Sequence, residues 1–489
     1  MSLRFDYDLD AKAKLSAFKY QEEAYLSIRD LPYAAIFHEQ GLGKTKIAID
    51  TLLYWLSSCD IDTVLIVTKK TLVQNWVNEF ATHTNIKPEI LSANKKSNFY
   101  ILNSPQRVII TNFETISSEK YRISLFLKTR NVAVIIDESA KIKNPESKLT
   151  KDFLDLANLF QRKIIMSGTP VANRPYDIWS QIYFLDLGKS LGSDFASFKK
   201  STDLSNELEK DALKLNEFEK SVSSIFSQIS SFTVRETKNS GIISLPNKIY
   251  HDIIVSFENK QFELYDTLRT ELKITLQKGD ETILDESQES IKRLLRLVQI
   301  ASNPALIDDG YKNVSAKESK LDELIKSILE NEESVIVWSI FTDNVDYFCR
   351  KYQKYGAVRI TGKMDVEARN VSIRKFKDGE AKILFATPQS AKEGLTLTVA
   401  NHSIFYDRGF NLDDYLQAQD RIHRISQTRD CHIYNLMIQD SIDIWIDYLL
   451  LAKQEAAHLA QGDCTLSQYK ENADYSFSHL VHEILNTPK

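Results

Sequence analysis

Little in this sequence marks a secreted, metal-stapled or membrane-spanning chain. Its four cysteines, Cys59, Cys349, Cys431 and Cys464, are scattered along 489 residues with no CxxC pair. The adjacent Cys431-His432 cannot by itself make a metal site, so neither a disulfide framework nor a zinc cluster is expected, and the thiols are read as reduced. The opening Met1-Ser2-Leu3-Arg4-Phe5-Asp6 is followed by no continuous apolar core, which speaks against a secretory signal. No uninterrupted apolar run approaches the roughly 20 residues that span a bilayer. A soluble, cytosolic chain without a membrane partner is expected. Global basicity is also missing, with a formal net charge of −5 and a pI of about 6.1. That does not exclude nucleic acid, because a local basic groove binds phosphates whatever the total charge.

What the chain does carry is apolar sequence, 43% of residues, enough for two or three ordinary cores, so several domains are expected. The stretch around which the rest is organised lies near the amino end: Ala35-Ile36-Phe37-His38-Glu39-Gln40-Gly41-Leu42-Gly43-Lys44-Thr45-Lys46-Ile47-Ala48-Ile49. A short apolar run, a glycine-containing turn, Lys and Thr, then apolar residues at helical spacing read as strand, phosphate-binding loop and helix. The backbone of Gly41, Leu42 and Gly43 would converge on an anion at a helix amino end, where unpaired amides and the helix dipole favour negative charge. Lys44 is expected on the terminal phosphates of ATP and Thr45 on Mg2+. The usual pattern wants a glycine where His38 stands, so taken alone the stretch also suits a glycine turn before a basic helix.

Upstream, Phe18-Lys19-Tyr20-Gln21-Glu22-Glu23-Ala24 reads as a helix, and the Gln21 amide, which donates and accepts at once, is a candidate reader of an adenine edge. Thr63 to Thr68 and Val108 to Asn112 are buried-strand runs with polar tips. Ligands gather at the carboxyl tips of parallel strands, which makes Lys69, Lys70, Thr111 and Asn112 candidate contacts to a phosphate backbone, the alternative being ordinary solvated strand ends. Val132-Ala133-Val134-Ile135-Ile136-Asp137-Glu138 is more specific. A strand ending in two adjacent carboxylates is costly unless a cation waits there. In a nucleotide hydrolase Asp137 would hold Mg2+ and Glu138 would orient the attacking water. Lys163 to Pro170 is a further strand, ending in a Ser-Gly-Thr-Pro turn that can couple the nucleotide side of a lobe to its neighbour. Residues 1–187 are therefore expected to form one α/β lobe with parallel strands.

Residues 188–240 read as a charge-rich helical insertion and linker, 241–452 as a second α/β lobe with leading helices, and 453–489 as a C-terminal helix and tail. The expected fold class is α/β, two tandem lobes with parallel sheets and a helical insertion between them, with a ligand in the cleft. Ser339, Lys363, Thr387 and Lys392 join the candidate nucleic-acid contacts by their position near strand tips of the second lobe. Within Asp413 to Gln427, Gln417, Arg421 and Arg424 fall at i, i+4 and i+7, so one helical face would present an amide and two guanidinium groups. A basic helix face is ordinarily just solvated. Placed in a different lobe from Lys44, these arginines also suit fingers that reach the γ-phosphate and stabilise transition-state charge.

Taken in order, these stretches resemble the motif series of superfamily 2 helicases, and within it the Snf2-like family of double-stranded DNA translocases. Tyr20-Gln21 is similar to the adenine-reading motif and His38 to Thr45 to the phosphate loop. Asp137-Glu138-Ser139-Ala140-Lys141-Ile142-Lys143-Asn144 resembles the magnesium motif, and Ser167-Gly168-Thr169-Pro170-Val171-Ala172-Asn173 the motif that follows it. Leu295-Arg296-Leu297 to Ala301-Ser302-Asn303-Pro304, then Ser319-Lys320-Leu321, resemble the segment before the second lobe. Glu393-Gly394-Leu395-Thr396-Leu397 with Gln417 to Gln427 is the most specific match. The resemblance implies RecA-like lobes, catalytic roles for Lys44, Asp137, Glu138, Arg421 and Arg424, nucleotide contacts from Gln21, the loop and Gln417, and the cofactors ATP and Mg2+. It also implies movement along double-stranded DNA by backbone contacts, in the cytoplasm of a bacterial or phage-infected cell. No histone-tail module, zinc cluster or long basic tail is evident, so a protein partner is expected to supply specificity. Ala140 stands where the family often has His, and coupling between DNA binding and hydrolysis is then expected to run through other groups; His38 is a second departure. An ATP-switched DNA clamp and a strand-separating helicase remain open as alternatives.

Overall fold

Runs of β-branched and aliphatic residues, such as Thr63–Thr68 and Val132–Asp137, form strands buried along almost their whole length, as sheets covered on both faces require. The computed structural model describes residues 11–204, 208, 211–241, 245–277, 288–390, 395–424 and 426–473. The chain divides into two compact units. In the first lie β1 (Tyr33–Ile36), β2 (Thr63–Thr68), β3 (Glu89–Ile90), β4 (Val108–Asn112), β5 (Val132–Asp137), β6 (Arg162–Met166) and β7 (Thr233–Val234), in the spatial order β3-β4-β2-β5-β6-β1-β7. Every pairing is parallel. Val64 and Ile66 of β2, Ile110 of β4 and Ile135 of β5 share one face, packed against Ile47, Leu52 and Trp55 of the helix Lys44–Ser58 and Phe80 of the helix Val73–His83. Fully burying each such side chain contributes about 1.5–3 kcal/mol.

The second unit holds β8 (Lys248–Val255), β9 (Val335–Trp338), β10 (Val358–Ile360), β11 (Ile383–Ala386), β12 (His402–Phe405) and β13 (Cys431–Ile438), in the order β10-β11-β9-β12-β13-β8. These strands are also parallel throughout. The period of two is visible in β9, where Ile336 and Trp338 join one core and Val335 and Val337 another. Among the described residues no helix is long and apolar enough to cross a membrane.

The units do not follow the sequence boundaries. The first takes the chain to Asp203 and adds Glu217–Ile243 and Ala457–Leu466, while the second takes Leu204–Asn216 and Ser244–Ala456. Most of the stretch read as an insertion thus belongs to the first unit. Phe218, Val222, Ile225 and Ile229 make a buried stripe on the helix Ala212–Ile229, and its Phe226 packs against Gly462. Two residues of the expected linker, Thr233 and Val234, are an edge strand of the first sheet.

Candidate functional site

The loop after β1 takes its shape from two glycines at positive φ, Gly41 at 89° and Gly43 at 67°, a region open to glycine and costly for other residues. Gly43 also starts the helix Lys44–Ser58. A Cβ on Gly43 would lie 2.1 Å from Nε2 of Gln21, so the close approach of the Gln21 amide is a second reason for glycine. Gln21 is 4% exposed; its Oε1 accepts from the backbone N–H of Phe18 at 3.0 Å. Tyr20 donates to the carbonyl of Leu42 at 3.2 Å. The helix Lys19–Ile28 therefore seats itself on the loop. Lys44 Nζ donates to the carbonyls of His38 and Glu39 at 2.9 and 3.2 Å. Burial, reinforced by the charge of Lys44, pulls the His38 imidazole down to about 4, so it is neutral at pH 7. From the residues after β7, Arg235 donates to the carbonyl of Phe37 at 2.7 Å, the Glu236 carbonyl accepts from the backbone N–H of Glu39 at 2.9 Å, and Lys238 N–H donates to the Glu39 carboxylate at 2.7 Å.

Because β2, β5, β6 and β1 are consecutive in the sheet, the turns at their carboxyl ends are neighbours. Asp137 ends β5, and its Oδ2 accepts from the indole of Trp76 at 2.9 Å and the hydroxyl of Thr68 at 3.1 Å. Desolvation, then the charge of Glu138, pushes the Asp137 acid above the usual carboxylate range, while the two donors and Lys44 pull the other way. Glu138 is a non-glycine residue in the left-handed region, φ 57°, and its Oε2 lies 3.6 Å from Lys69 Nζ. Ser139 donates to Oε1 of Gln181 at 2.7 Å, and Gln181 Nε2 donates to the carbonyls of Pro170 and Asp177, each at 2.8 Å. A Cβ on Gly168, in the turn after β6, would meet Gln40 Cγ at 2.6 Å and Lys44 Nζ at 3.3 Å. Amides and an ammonium at a helix amino end, beside two carboxylates, suit an anion and a hard divalent cation held together.

In the second unit the helix expected to carry Gln417, Arg421 and Arg424 on one face ends sooner, at Gln419. The arginines lie in the turn beyond it, where their side chains satisfy carbonyls that a helix end leaves open. Arg421 Nε donates to the carbonyl of Gln417 at 2.9 Å and its NH1 to that of Leu395 at 3.3 Å; the residue is 2% exposed. Arg424 donates to the carbonyl of Asp420 at 3.1 Å and the hydroxyl of Thr396 at 2.9 Å, and stays half-buried. Gln417, also buried, donates to Asp413 at 2.7 Å. Of the candidate nucleic-acid contacts, Lys70 and Lys363 are exposed, and Lys69 and Asn112 partly so. Thr111 is wholly buried, Thr387 nearly so, and Ser339 is buried with its hydroxyl donating to Asp407 at 2.7 Å. The alternation along β4 turns Thr111 inward, so neither Thr111 nor Ser339 presents its side chain to a phosphate track. Lys392 lies outside the described residues, as do Glu393, Gly394 and Ile425 of the motifs.

An SNF2-related domain is matched by residues 33–306, and a helicase conserved C-terminal domain by residues 316–426. The chain belongs to the SNF2-related family. It is similar to an uncharacterized ATP-dependent helicase of Mycoplasma pneumoniae, 28% identical over 464 residues that make up 92% of this chain and 43% of the relative. It is also similar to the putative ATP-dependent helicase/translocase YwqA of Bacillus subtilis, 28% identical over 456 residues, 89% of this chain and 47% of the relative. The chain thus spans less than half the length of these curated relatives. Among solved structures, the SWI2/SNF2 ATPase core of Sulfolobus solfataricus in complex with dsDNA aligns with 97% of this chain and 99% of its own, at 22% identity and a TM-score of 0.43.

In this SNF2-related chain several contributors to the site are not visible in the motifs. Trp76 meets Asp137 across 61 residues of sequence and Gln181 meets Ser139 across 42; nothing local to either residue announces its partner. Arg235 sits in what reads as a linker, yet it braces Phe37 beside the loop. Gln181 ties the turn after β5 to the turn after β6, and Asp177 does the same by accepting from Lys143 and from the Asn173 N–H.

Proposed function

We propose that this SNF2-related chain hydrolyses ATP and couples hydrolysis to movement along double-stranded DNA, remodelling or displacing DNA-bound proteins or powering a DNA-processing complex, with a protein partner supplying specificity. The observation that carries the reading is the convergence, at the carboxyl ends of β2, β5, β6 and β1, of Lys44 on its glycine loop, the Asp137-Glu138 pair and Lys69. The residues fit the group they would bind: the loop, with Gly41 and Gly43 at positive φ, leads into the amino end of the helix Lys44–Ser58, where backbone amides and Lys44 suit an anion, and Asp137, costly to ionise where it stands, gains a partner in a divalent cation. Thr45 and Asp137 would hold Mg2+, which when bound neutralises charge on the β- and γ-phosphates. Gly41, Leu42 and Gly43 would donate backbone amides to the phosphates, Lys44 would meet the terminal ones, and Gln21 would read the adenine. Glu138 would orient the attacking water. Gln417 would contact the nucleotide, and Arg421 and Arg424 would stabilise charge on the γ-phosphate, Arg424 being the more solvent-accessible. Names such as ATP-dependent helicase and helicase/translocase among the relatives support both the nucleotide and the motor.

The test is steady-state ATP hydrolysis without nucleic acid and with duplex DNA, single-stranded DNA or RNA. Duplex DNA is expected to stimulate the rate strongly, and Glu138→Gln and Arg424→Ala to abolish the stimulated rate, with triplex displacement then reading movement. If no nucleic acid stimulates the rate and the variants match the parent, the motor reading fails.

A further inference from the structure

One short segment, running from the end of β2 into the helix Val73–His83, touches both carboxylates of the candidate site. Thr68 and Trp76 donate to Asp137 at 3.1 and 2.9 Å, from residues that are themselves buried. Their job is fixed by packing. Lys69 differs: it reaches Glu138 at 3.6 Å, and the two side chains keep 23% and 17% of their surface open to solvent. Lys70 beside it and Lys141, three residues beyond Glu138, are both exposed, so the Lys69–Glu138 pair lies among cations that a polyanion can approach. An ammonium next to Glu138 competes with any other group that needs this carboxylate as an acceptor. A phosphate diester near the tip of β2 competes in turn for the ammonium, because a compact lysine charge favours whichever anion desolvates it least.

We propose that Lys69 is shared between Glu138 and a nucleic-acid backbone phosphate, so that duplex binding draws the ammonium away and frees Glu138 to orient the attacking water. The inference rests on reading the chain as a DNA-stimulated ATPase and names the residue through which stimulation acts. Lys69 is a positioning residue: it acts through Glu138. Coupling between two ligands of one group is reciprocal, so whatever weakens the pair strengthens the hold on DNA.

The experiment measures duplex affinity without nucleotide, by fluorescence anisotropy of a labelled duplex, for the parent chain, Glu138→Gln, Lys69→Met, Lys69→Arg and the Lys69→Met/Glu138→Gln double variant. Glu138→Gln is expected to tighten duplex binding about two- to fivefold, the scale of a partly exposed ion pair. That gain should vanish in the Lys69→Met background and persist with Lys69→Arg. In ATP hydrolysis, Lys69→Met should raise the DNA-free kcat, leave KM for ATP unchanged and shrink the fold-stimulation by duplex, with Lys69→Arg restoring it. The proposal is overturned if Glu138→Gln tightens binding equally with and without Lys69, which is a general charge effect, or if a stimulated parent and Lys69→Met respond alike. A parent chain that neither binds duplex nor is stimulated by it is a separate result: the functional reading itself fails and takes the inference with it.

Discussion

Asp137 has one oxygen held by an indole and a hydroxyl, an arrangement that orients the carboxylate before any ligand arrives. Trp76→Phe keeps an aromatic ring in the core but deletes the N–H and part of the buried indole, so the expected result is a fall in kcat of about tenfold, the lower end of what supporting partners of a metal ligand contribute. It should come with a higher Mg2+ requirement in a metal titration of hydrolysis, and stability should drop by about 2–3 kcal/mol, the lost hydrogen bond together with the cavity. His38 provides a pH prediction. Its folded pKa, about 4, lies below the ordinary value of 6.5. Its stabilising contribution is therefore fully present above 6.5 and is lost as the pH falls toward 4, because the unfolded chain takes up the proton first. Between pH 7 and 5 the loss is about 2 kcal/mol. A His38→Gln variant should lose that much less over the same interval, read from urea midpoints of the first unit's transition; parallel pH curves for variant and parent would contradict the assignment.

The phosphate loop is an element clamped from two sides, by the helix Lys19–Ile28 through Gln21 and Tyr20 and by residues 235–238 through backbone and carboxylate contacts. Gly43→Ala puts a methyl group into the Gln21 amide and forces an L-residue to φ 67°, which alone costs about 1–2 kcal/mol. Nucleotide affinity, measured by titration calorimetry, should fall at least tenfold. Adding Gln21→Ala should relieve the clash but not the backbone cost, so recovery is partial; full recovery would mean that φ strain is unimportant here. The helix Leu412–Gln419 ends where its backbone tightens to bonds three residues back, Arg421 N–H to Ala418 and Ile422 N–H to Gln419, while the Arg421 and Arg424 guanidiniums return to the carbonyls of Gln417 and Asp420.

At the scale of the whole molecule, the chain returns to its first unit late in the sequence. Asp463 pairs with Arg235 across 228 residues, and the same guanidinium supports Phe37 at the entrance to the phosphate loop. The two side chains keep only 8% and 17% of their surface open although Asp463 as a residue is exposed, so removing one partner leaves a partly sheltered charge unpaired. Asp463→Asn is expected to destabilise the first unit by about 2–3 kcal/mol, read as a lower Tm in its unfolding transition, and to raise KM for ATP more than it lowers kcat. An unchanged Tm would mean that the pair is solvated in solution and contributes little, as exposed pairs do.

The sequence by itself determined the parts whose signal is local. An apolar β-branched run with a polar tip predicts β2, β4 and β5, a glycine turn before Lys44 predicts strand, loop and helix, and two carboxylates closing a strand predict a cation site, all from neighbours within a few residues. Strands β12 and β13 were less legible because His402, Ser403, His432 and Asn435 interrupt their apolar pattern, although all four lie on strands buried within the sheet. Only the tertiary structure decided which strand is whose neighbour, and hence that Trp76, Thr68 and Lys69 meet Asp137 and Glu138 while Thr111 and Ser339 are turned inward. It also decided that a stretch reading as insertion and linker completes the first unit and braces its loop. The physical reason is that side-chain pairing depends on distance in space. Distances between segments tens to hundreds of residues apart are set by sheet order and packing, which local propensity does not encode.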